Sequence, residues 1–237
     1  MKNDTSIHSK TLFLQGVKDC IPTMLGYFSV ALAFGIVGIS SGLSIIEITL
    51  LSIFVYAGAA QFIICALVAI QSPISAIFLT VFFVNSRMFL QSLALVPAFK
   101  GNGFWSNLGI GTLVTDESFG VAITKYAKEK SLNATWMHGL NISAYILWIV
   151  TSVLGGLVGN LIPKPEMFGL DYALSAMFIF LLIAQFETIQ KNKVMFYLYL
   201  IVLTIICMLV FTLFMPTYMS IIISTLVASI VGAVFNK

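Results

Sequence analysis

The sequence predicts an all-α membrane protein, a polytopic bundle of about eight transmembrane helices, and three observations carry that expectation. Hydrophobic residues make up 59% of the 237 residues and charged residues only 9%, against about 25% charged in a typical soluble domain. Mean hydropathy is +1.04. Apolar stretches of the roughly 20 residues that a bilayer requires follow one another with only short connectors between them. Nothing is left over for a soluble domain, so a single transmembrane domain is expected over residues 1–237.

Taken in order, the expected spans are Ile21–Ile39, Ile45–Ile70, Pro73–Val96, Trp105–Thr124, Trp136–Leu161, Leu170–Phe186, Val194–Met215 and Pro216–Phe235. Breakers separate them: Ser40-Ser41-Gly42, Gln71-Ser72-Pro73, Lys100-Gly101-Asn102-Gly103, Pro163-Lys164-Pro165 and Lys191-Asn192-Lys193. The softest boundary is Met215-Pro216, because proline also kinks a continuous helix. Ala31-Leu32-Ala33 imitates a signal-peptide cleavage site, yet the apolar run continues to Ile39, which predicts an uncleaved first span. Phe54 to Phe62 and Phe178 to Phe186 both end in Ala-Gln-Phe, an echo that suits a parallel three-plus-one-plus-three repeat.

Lysine and arginine orient the chain, since cytoplasmic loops are enriched in them. Eight crossings place Lys2, Lys10, Lys18, Lys125, Lys128, Lys130, Lys191, Lys193 and Lys237 on the side of both termini, and Lys100 and Lys164 on the other. Both termini are therefore expected in the cytoplasm, with Gly103 outside.

Against this apolar background a few polar residues stand out. Asp116 and Glu117 fall near the middle of the fourth span, where an ionised side chain facing lipid costs about 2.5 kcal/mol or more. Adjacent helical residues point about 100° apart, so the two acids must look into different surroundings. On one continuous helix Asp116 shares its face with Gly109, Thr112 and Gly120, and Glu117 shares a mostly apolar face with Ile110, Leu113, Val121 and Thr124. Asp116 is accordingly expected to face a polar cavity or a tight helix contact. Glu117 is expected to carry a reversible proton, with Asp116 as a second candidate for that task. The plainer reading is that either acid fixes a neighbouring helix by a hydrogen bond.

Arg87 is the one cation at comparable depth, in Asn85-Ser86-Arg87 on the third span, and it shares a stripe with Thr80 and Gln91. Its planar fork suits a substrate carboxylate; a permanent ion pair with Asp116 or Glu117 is the alternative. In the second span Gly58-Ala59-Ala60 precedes the amide of Gln61, small residues that permit close packing or local unwinding towards a ligand. Cys20, Cys65 and Cys207 have neither metal-type nor redox-type spacing. No nucleotide-binding loop is present and no cofactor or metal is expected. The diverging acids do not form the facing pair of an aspartyl protease, and an enzyme is not expected. His138 reads as an interfacial residue.

In order and spacing, Gly26-Tyr27-Phe28, Ala33-Phe34-Gly35, Gly58-Ala59-Ala60-Gln61-Phe62, Asn85-Ser86-Arg87, Leu93-Ala94-Leu95-Val96-Pro97 and Thr115-Asp116-Glu117 resemble the AzlC-type large subunit of two-component branched-chain amino acid exporters. The likeness is strongest from Gly26 to Glu117; Ser86 and Gln91 depart from its pattern. It implies a secondary transporter in a bacterial plasma membrane. Leucine, isoleucine, valine and also methionine would leave the cytoplasm with the help of a small AzlD-like membrane subunit. A zwitterionic substrate needs an acceptor for its ammonium and a donor for its carboxylate, and Asp116, Arg87, Gln61, Asn85 and Gly58 are the binding candidates. Without ATP chemistry, the proton is the expected coupling ion. The alternative class is a scaffold or channel subunit that transports nothing itself.

Overall fold

A computed structural model describes residues 2–161, 179, 182, 183, 186 and 191–235. Ten helices account for most of them, and no strand occurs among the described residues. They are α1 (Lys2–Asp19), α2 (Ile21–Ser40), α3 (Ile45–Phe54), α4 (Gly58–Ala69), α5 (Ile74–Leu95), α6 (Phe104–Thr112), α7 (Asp116–Glu129), α8 (Ala134–Leu161), α9 (Val194–Phe211) and α10 (Thr217–Phe235). The segments Ile21–Ser40, Ile74–Phe99, Ala134–Leu161 and Val194–Phe211 are long and apolar enough to cross a membrane. The all-α membrane class is thus what the chain adopts. The expected sixth span, and with it the second half of the Ala-Gln-Phe echo, lies largely outside the described residues.

The chain forms two compact units, one of Met1–Ser72 with Val84–Leu174 and one of Pro73–Phe83 with Ser175–Lys237. In the second, α9 and α10 run antiparallel, with Gly232 opposite Leu200. Residues 212–216 separate them, Pro216 among these, at the boundary that was softest in the sequence.

The first unit is built on two long parallel supports, α1–α2 and α8. Successive contacts climb both together: Gly16 lies on the Trp136 carbonyl, Gly139 on that of Phe13, Gly35 on that of Ser152 and Gly155 on that of Leu32. A Cβ at any of these glycines would collide with backbone. In a bilayer lipid tails are as apolar as side chains, so close backbone approach through small residues, rather than exclusion of apolar surface from water, is what holds such helices together.

The structure corrects two of the expected spans. Ile45–Ile70 and Trp105–Thr124 are not continuous helices but pairs of short ones, and each pair turns back on itself. α3 begins beside the C-terminal end of α2, where Ile48 covers Gly38 and Ile45 reaches Gly156. It descends until the Ile53 carbonyl accepts a hydrogen bond from the Tyr145 hydroxyl (2.9 Å). Residues 55–57 then reverse the chain, with Tyr56 at φ +38. α4 climbs back: Gln61 meets Trp148, the Phe62 ring lies 5.9 Å from Phe34, and Cys65 reaches Ser41 near the start of α3.

The second pair enters from the opposite end. Ser106 on α6 is hydrogen-bonded to His138 (2.9 Å), and the Ile110 carbonyl accepts from Asn141 (3.2 Å) one turn further up α8. After the break at residues 113–115, α7 returns to the same end, where Lys125 lies 4.8 Å over the Trp136 ring. Leu132 N–H donates to the Ala98 carbonyl (3.3 Å), so Gly103 and Lys130 lie at the same end of α8. Length explains the folding back. At 1.5 Å per residue the ten residues of α3 and the nine of α6 rise only about 15 Å, half of a hydrocarbon core of about 30 Å.

Candidate functional site

The tips of the two hairpins meet near Trp148, midway along α8, and there buried Gln61, Thr115 and Ser118 adjoin the partly exposed Arg87, Asp116 and Glu117. The second tip is made by Thr115. Its backbone is extended (φ −122, ψ 173), and its hydroxyl accepts from Ser118 N–H while Ser118 Oγ accepts from the Thr115 N–H. This reciprocal cap starts α7 at Asp116, and both acids therefore occupy the first helical turn, where the helix dipole favours negative charge.

From that turn the acids diverge as adjacent helical residues must. Asp116 faces α5, accepting from Arg87 Nη2 at 2.7 Å and from Gln91 Nε2 at 2.9 Å. Glu117 faces α2, where its Oε2 accepts from the Tyr27 hydroxyl (2.8 Å). The same hydroxyl reaches Thr115 Oγ1, and its single hydrogen can serve only one of the two at a time. The expectation of two different surroundings holds. The sharing of faces with Gly109, Thr112, Ile110 and Leu113 does not, because the helix does not run through residues 113–115.

Around the first tip the rings form a corner. Tyr27 meets Trp148 edge to face at 4.9 Å between centroids, and Tyr56 meets Tyr145 at 4.8 Å and Trp148 at 6.4 Å. The Tyr56 hydroxyl faces Tyr27 and Glu117. Trp148 Nε1 donates to Gln61 Oε1 (3.0 Å), and Gln61, fully buried, keeps its Nε2 without a partner. Gly58 opens α4 directly behind the Tyr56-Ala57 turn, with Ala57 extended and no side chain capping the helix.

Of the residues singled out in the sequence, Arg87 and Asp116 form an ion pair, with the arginine side chain 38% exposed and the aspartate 16%. Arg87 Nε has no partner, and neither has Asn85 Oδ1 two residues earlier on a different face of α5. Gln61 and Gly58 belong to the first tip and Glu117 to the second. Tyr27, Thr115 and Trp148 carried no assigned role, yet they join the tips. Thr115 was findable, since Thr-Asp-Glu-Ser is a helix-start signature. Tyr27 stood out only within the Gly26-Tyr27-Phe28 stretch of the family resemblance and Trp148 not at all, since their partners lie 88 and 87 residues away.

A cavity of about 580 Å³ runs from Glu117 along Gly120 and Thr124 to Lys125, Lys128 and Trp136. It connects the Glu117 carboxylate with the Ala134 end of α8, where Asp19 accepts from Trp136 Nε1 (2.8 Å) and pairs with Lys125 at 3.8 Å. Among the described residues no cluster of His, Cys, Asp or Glu has a geometry for a metal ion.

Residues 22–162 match the family described as AzlC protein. The inner membrane protein YgaZ of Escherichia coli is 30% identical over 185 residues, 76% of this chain and 75% of its own length. The branched-chain amino acid transport protein AzlC of Bacillus subtilis is 27% identical over 173 residues, 73% of this chain and 67% of its own. An uncharacterized membrane protein of Helicobacter pylori is 28% identical over 186 residues, 76% of this chain and 80% of its own. No solved structure matches the chain. The matched residues include both hairpins and the whole cluster at their tips, and the chain belongs to the AzlC family.

Proposed function

We propose that this membrane transport protein exports branched-chain amino acids from the bacterial cytoplasm, drawing on the proton gradient and working with a small AzlD-like membrane subunit. The observation that carries the reading is the meeting of two half-length hairpins at mid-height. It puts a carboxylate, an ion pair and an uncapped helix start where a zwitterion would sit, which is the chemistry of a transporter rather than an enzyme. Irregular backbone at such depth is tolerated where it is buried in protein or lines a cavity. Discontinuous helices of this kind form substrate and ion sites in secondary transporters. The relative named as a branched-chain amino acid transport protein supports the substrate class.

Asp116 and Arg87 hold the second tip to α5 through their ion pair, and substrate binding loosens that latch. Glu117 takes the proton. Its cavity opens towards the end of the first unit that bears Lys10, Lys18, Lys100, Lys125, Lys128 and Lys130. Among the described residues the opposite end, at 40–45 and 69–73, has no lysine or arginine, and Lys164, expected on that side, lies outside the described residues. Folding the hairpins back moves Lys100 to the lysine-rich end, so the charge asymmetry is sharper than eight straight crossings would make it. That end, and the N-terminus with it, is assigned to the cytoplasm. Moving one charge through 100 mV provides about 2.3 kcal/mol, and at about 1.36 kcal/mol per tenfold one proton sustains a gradient of roughly fiftyfold.

Counterflow of labelled leucine and valine in vesicles, with and without the co-expressed small subunit, tests the proposal. Saturable exchange that a pH gradient turns into net accumulation is the expected result. No exchange under either condition leaves the scaffold reading in its place.

A further inference from the structure

The transport reading leaves open which group receives the substrate's carboxylate, and Arg87 is the obvious donor from sequence. Arg87, however, already spends its Nη2 on Asp116. Resting on that transport reading, we propose that the carboxylate is bound instead by the first turn of α4, through the backbone N–H groups of Gly58, Ala59 and Ala60 with Gln61 Nε2 as the side-chain donor.

Four facts converge on this turn. The first N–H groups of any helix lack intrahelical partners, and in α4 the first backbone bond of that kind comes from Gln61 N–H to the Ala57 carbonyl (2.9 Å). The residue before the helix is alanine, which has no side chain to cap it. Two residues of the turn are closed to solvent, Ala59 at 6% and Ala60 at 0% exposure, with Gly58 half-buried in front of them. An unsatisfied buried N–H is rare in native proteins, so a series of them marks a place for an acceptor.

The fourth fact is the amide of Gln61, buried at 0% exposure with Nε2 unpartnered. A helical side chain leans towards the N-terminus and covers the turn before its own Cα. Gln61 therefore lies over Ala57 and Gly58. Its head is held there by Trp148, whose ring stands 6.4 Å from that of Tyr56 in the reversal itself. Oε1 is occupied by that tryptophan, which leaves the two N–H donors of Nε2 for a ligand seated at the helix start. A compact anion with two oxygens matches such a set, as helix N-termini bind carboxylate and phosphate generally. Phosphate is the poorer fit, since no lysine or arginine touches this turn among the described interactions. Glu117 lies across the corner formed by Tyr27, Tyr56 and Trp148, on the side where the substrate ammonium would need its acceptor.

The test gives α4 a cap of its own. In Ala57→Ser a hydroxyl accepts from the first turn, as Thr115 does in α7, and so competes with the ligand while supporting the helix. In Gly58→Pro one N–H is removed at the helix position where proline is best tolerated, after a residue that is already extended. Binding of valine, isovalerate (no ammonium) and valinol (no carboxylate) is read from tryptophan fluorescence in the purified full-length protein with Trp105 and Trp136 replaced by Phe, which leaves Trp148 as the reporter, alongside a thermal melt.

Wild type should bind valine and isovalerate and bind valinol far more weakly. Ala57→Ser should raise the valine Kd by roughly tenfold or more with an unchanged or higher melting temperature. Gly58→Pro should raise the Kd as well, which keeps the proposal testable should the serine variant fail to fold. An unchanged Kd in either folded variant overturns the carboxylate assignment and leaves the transport reading standing. So does a Kd that rises with Arg87→Lys and not with the α4 variants. Wild type that binds neither valine nor isovalerate overturns both.

Discussion

The two hairpins share a geometry and differ in chemistry. Both reverse near the middle of α8, and both present the start of a helix to the same corner of aromatic rings. The tip of α6–α7 supplies its own cap and its own charges, from Thr115, Ser118, Asp116 and Glu117. The tip of α3–α4 is neutral and uncapped. A helix start that carries its own acceptors is satisfied and has anions to offer to cations and protons. One without them is left with donors and waits for an anion. The pair of tips is therefore complementary to a zwitterion, although each is an ordinary helix end taken alone.

The sharpest way to break the comparison is to neutralise the acid tip. Glu117→Gln preserves shape, imitates the protonated carboxyl and keeps an oxygen that can accept from a substrate ammonium, so exchange of one amino acid for another should persist while accumulation driven by a pH gradient is abolished. Both are measurable in the same vesicles. Concentrative transport in the variant removes Glu117 from the coupling role.

Side of access is likewise all or nothing. A single cysteine replacing Gly103 should be labelled by a membrane-impermeant maleimide from the same side as one replacing Lys130, and one replacing Gln71 from the opposite side. Labelling of positions 103 and 130 from opposite sides means that α6–α7 crosses the membrane, and the hairpin assignment fails.

Asp116→Asn should have an intermediate effect. It leaves the Arg87 guanidinium with a neutral partner, and the exposure of that side chain limits the cost, so turnover should fall by about tenfold, an effect of about 1.4 kcal/mol. Restored turnover in Arg87→Gln combined with Asp116→Asn would identify the pair as a latch; continued loss would identify it as a ligand site.

The smallest expected effect is on the cap. Thr115→Ala removes the acceptor for Ser118 N–H and the contact to Tyr27, and loss of a cap costs about 1 kcal/mol. Thermal melts should shift down by a few degrees. A drop as large as that of a core truncation would show that Thr115 holds the two tips together as well as starting α7.

Much of this was legible before any tertiary structure. An apolar chain with almost no charge is bound to a bilayer as helices, since each backbone polar group must be satisfied within its own segment there. The mid-depth positions of Arg87, Asp116 and Glu117 followed from counting residues, and their importance followed from the cost of burying charge. The divergence of the two acids followed from helical geometry, although the helix in question begins at Asp116 and not at Trp105. What the sequence by itself determined is therefore local: the class, most of the helical segments, and which side chains are costly to turn towards lipid.

Only the tertiary structure decided that two of the segments turn back. Hydropathy reports that a stretch is apolar and cannot report its direction, because a short helix that enters and leaves by one face buries the same residue types as one that crosses. Direction is set by partners remote in the chain: Tyr145 for Ile53, Ser41 for Cys65, His138 for Ser106, Ala98 for Leu132. The same long-range packing brings Tyr27, Gln61, Glu117 and Trp148 to one corner, and no periodicity in the chain encodes a meeting of groups that lie up to 121 residues apart.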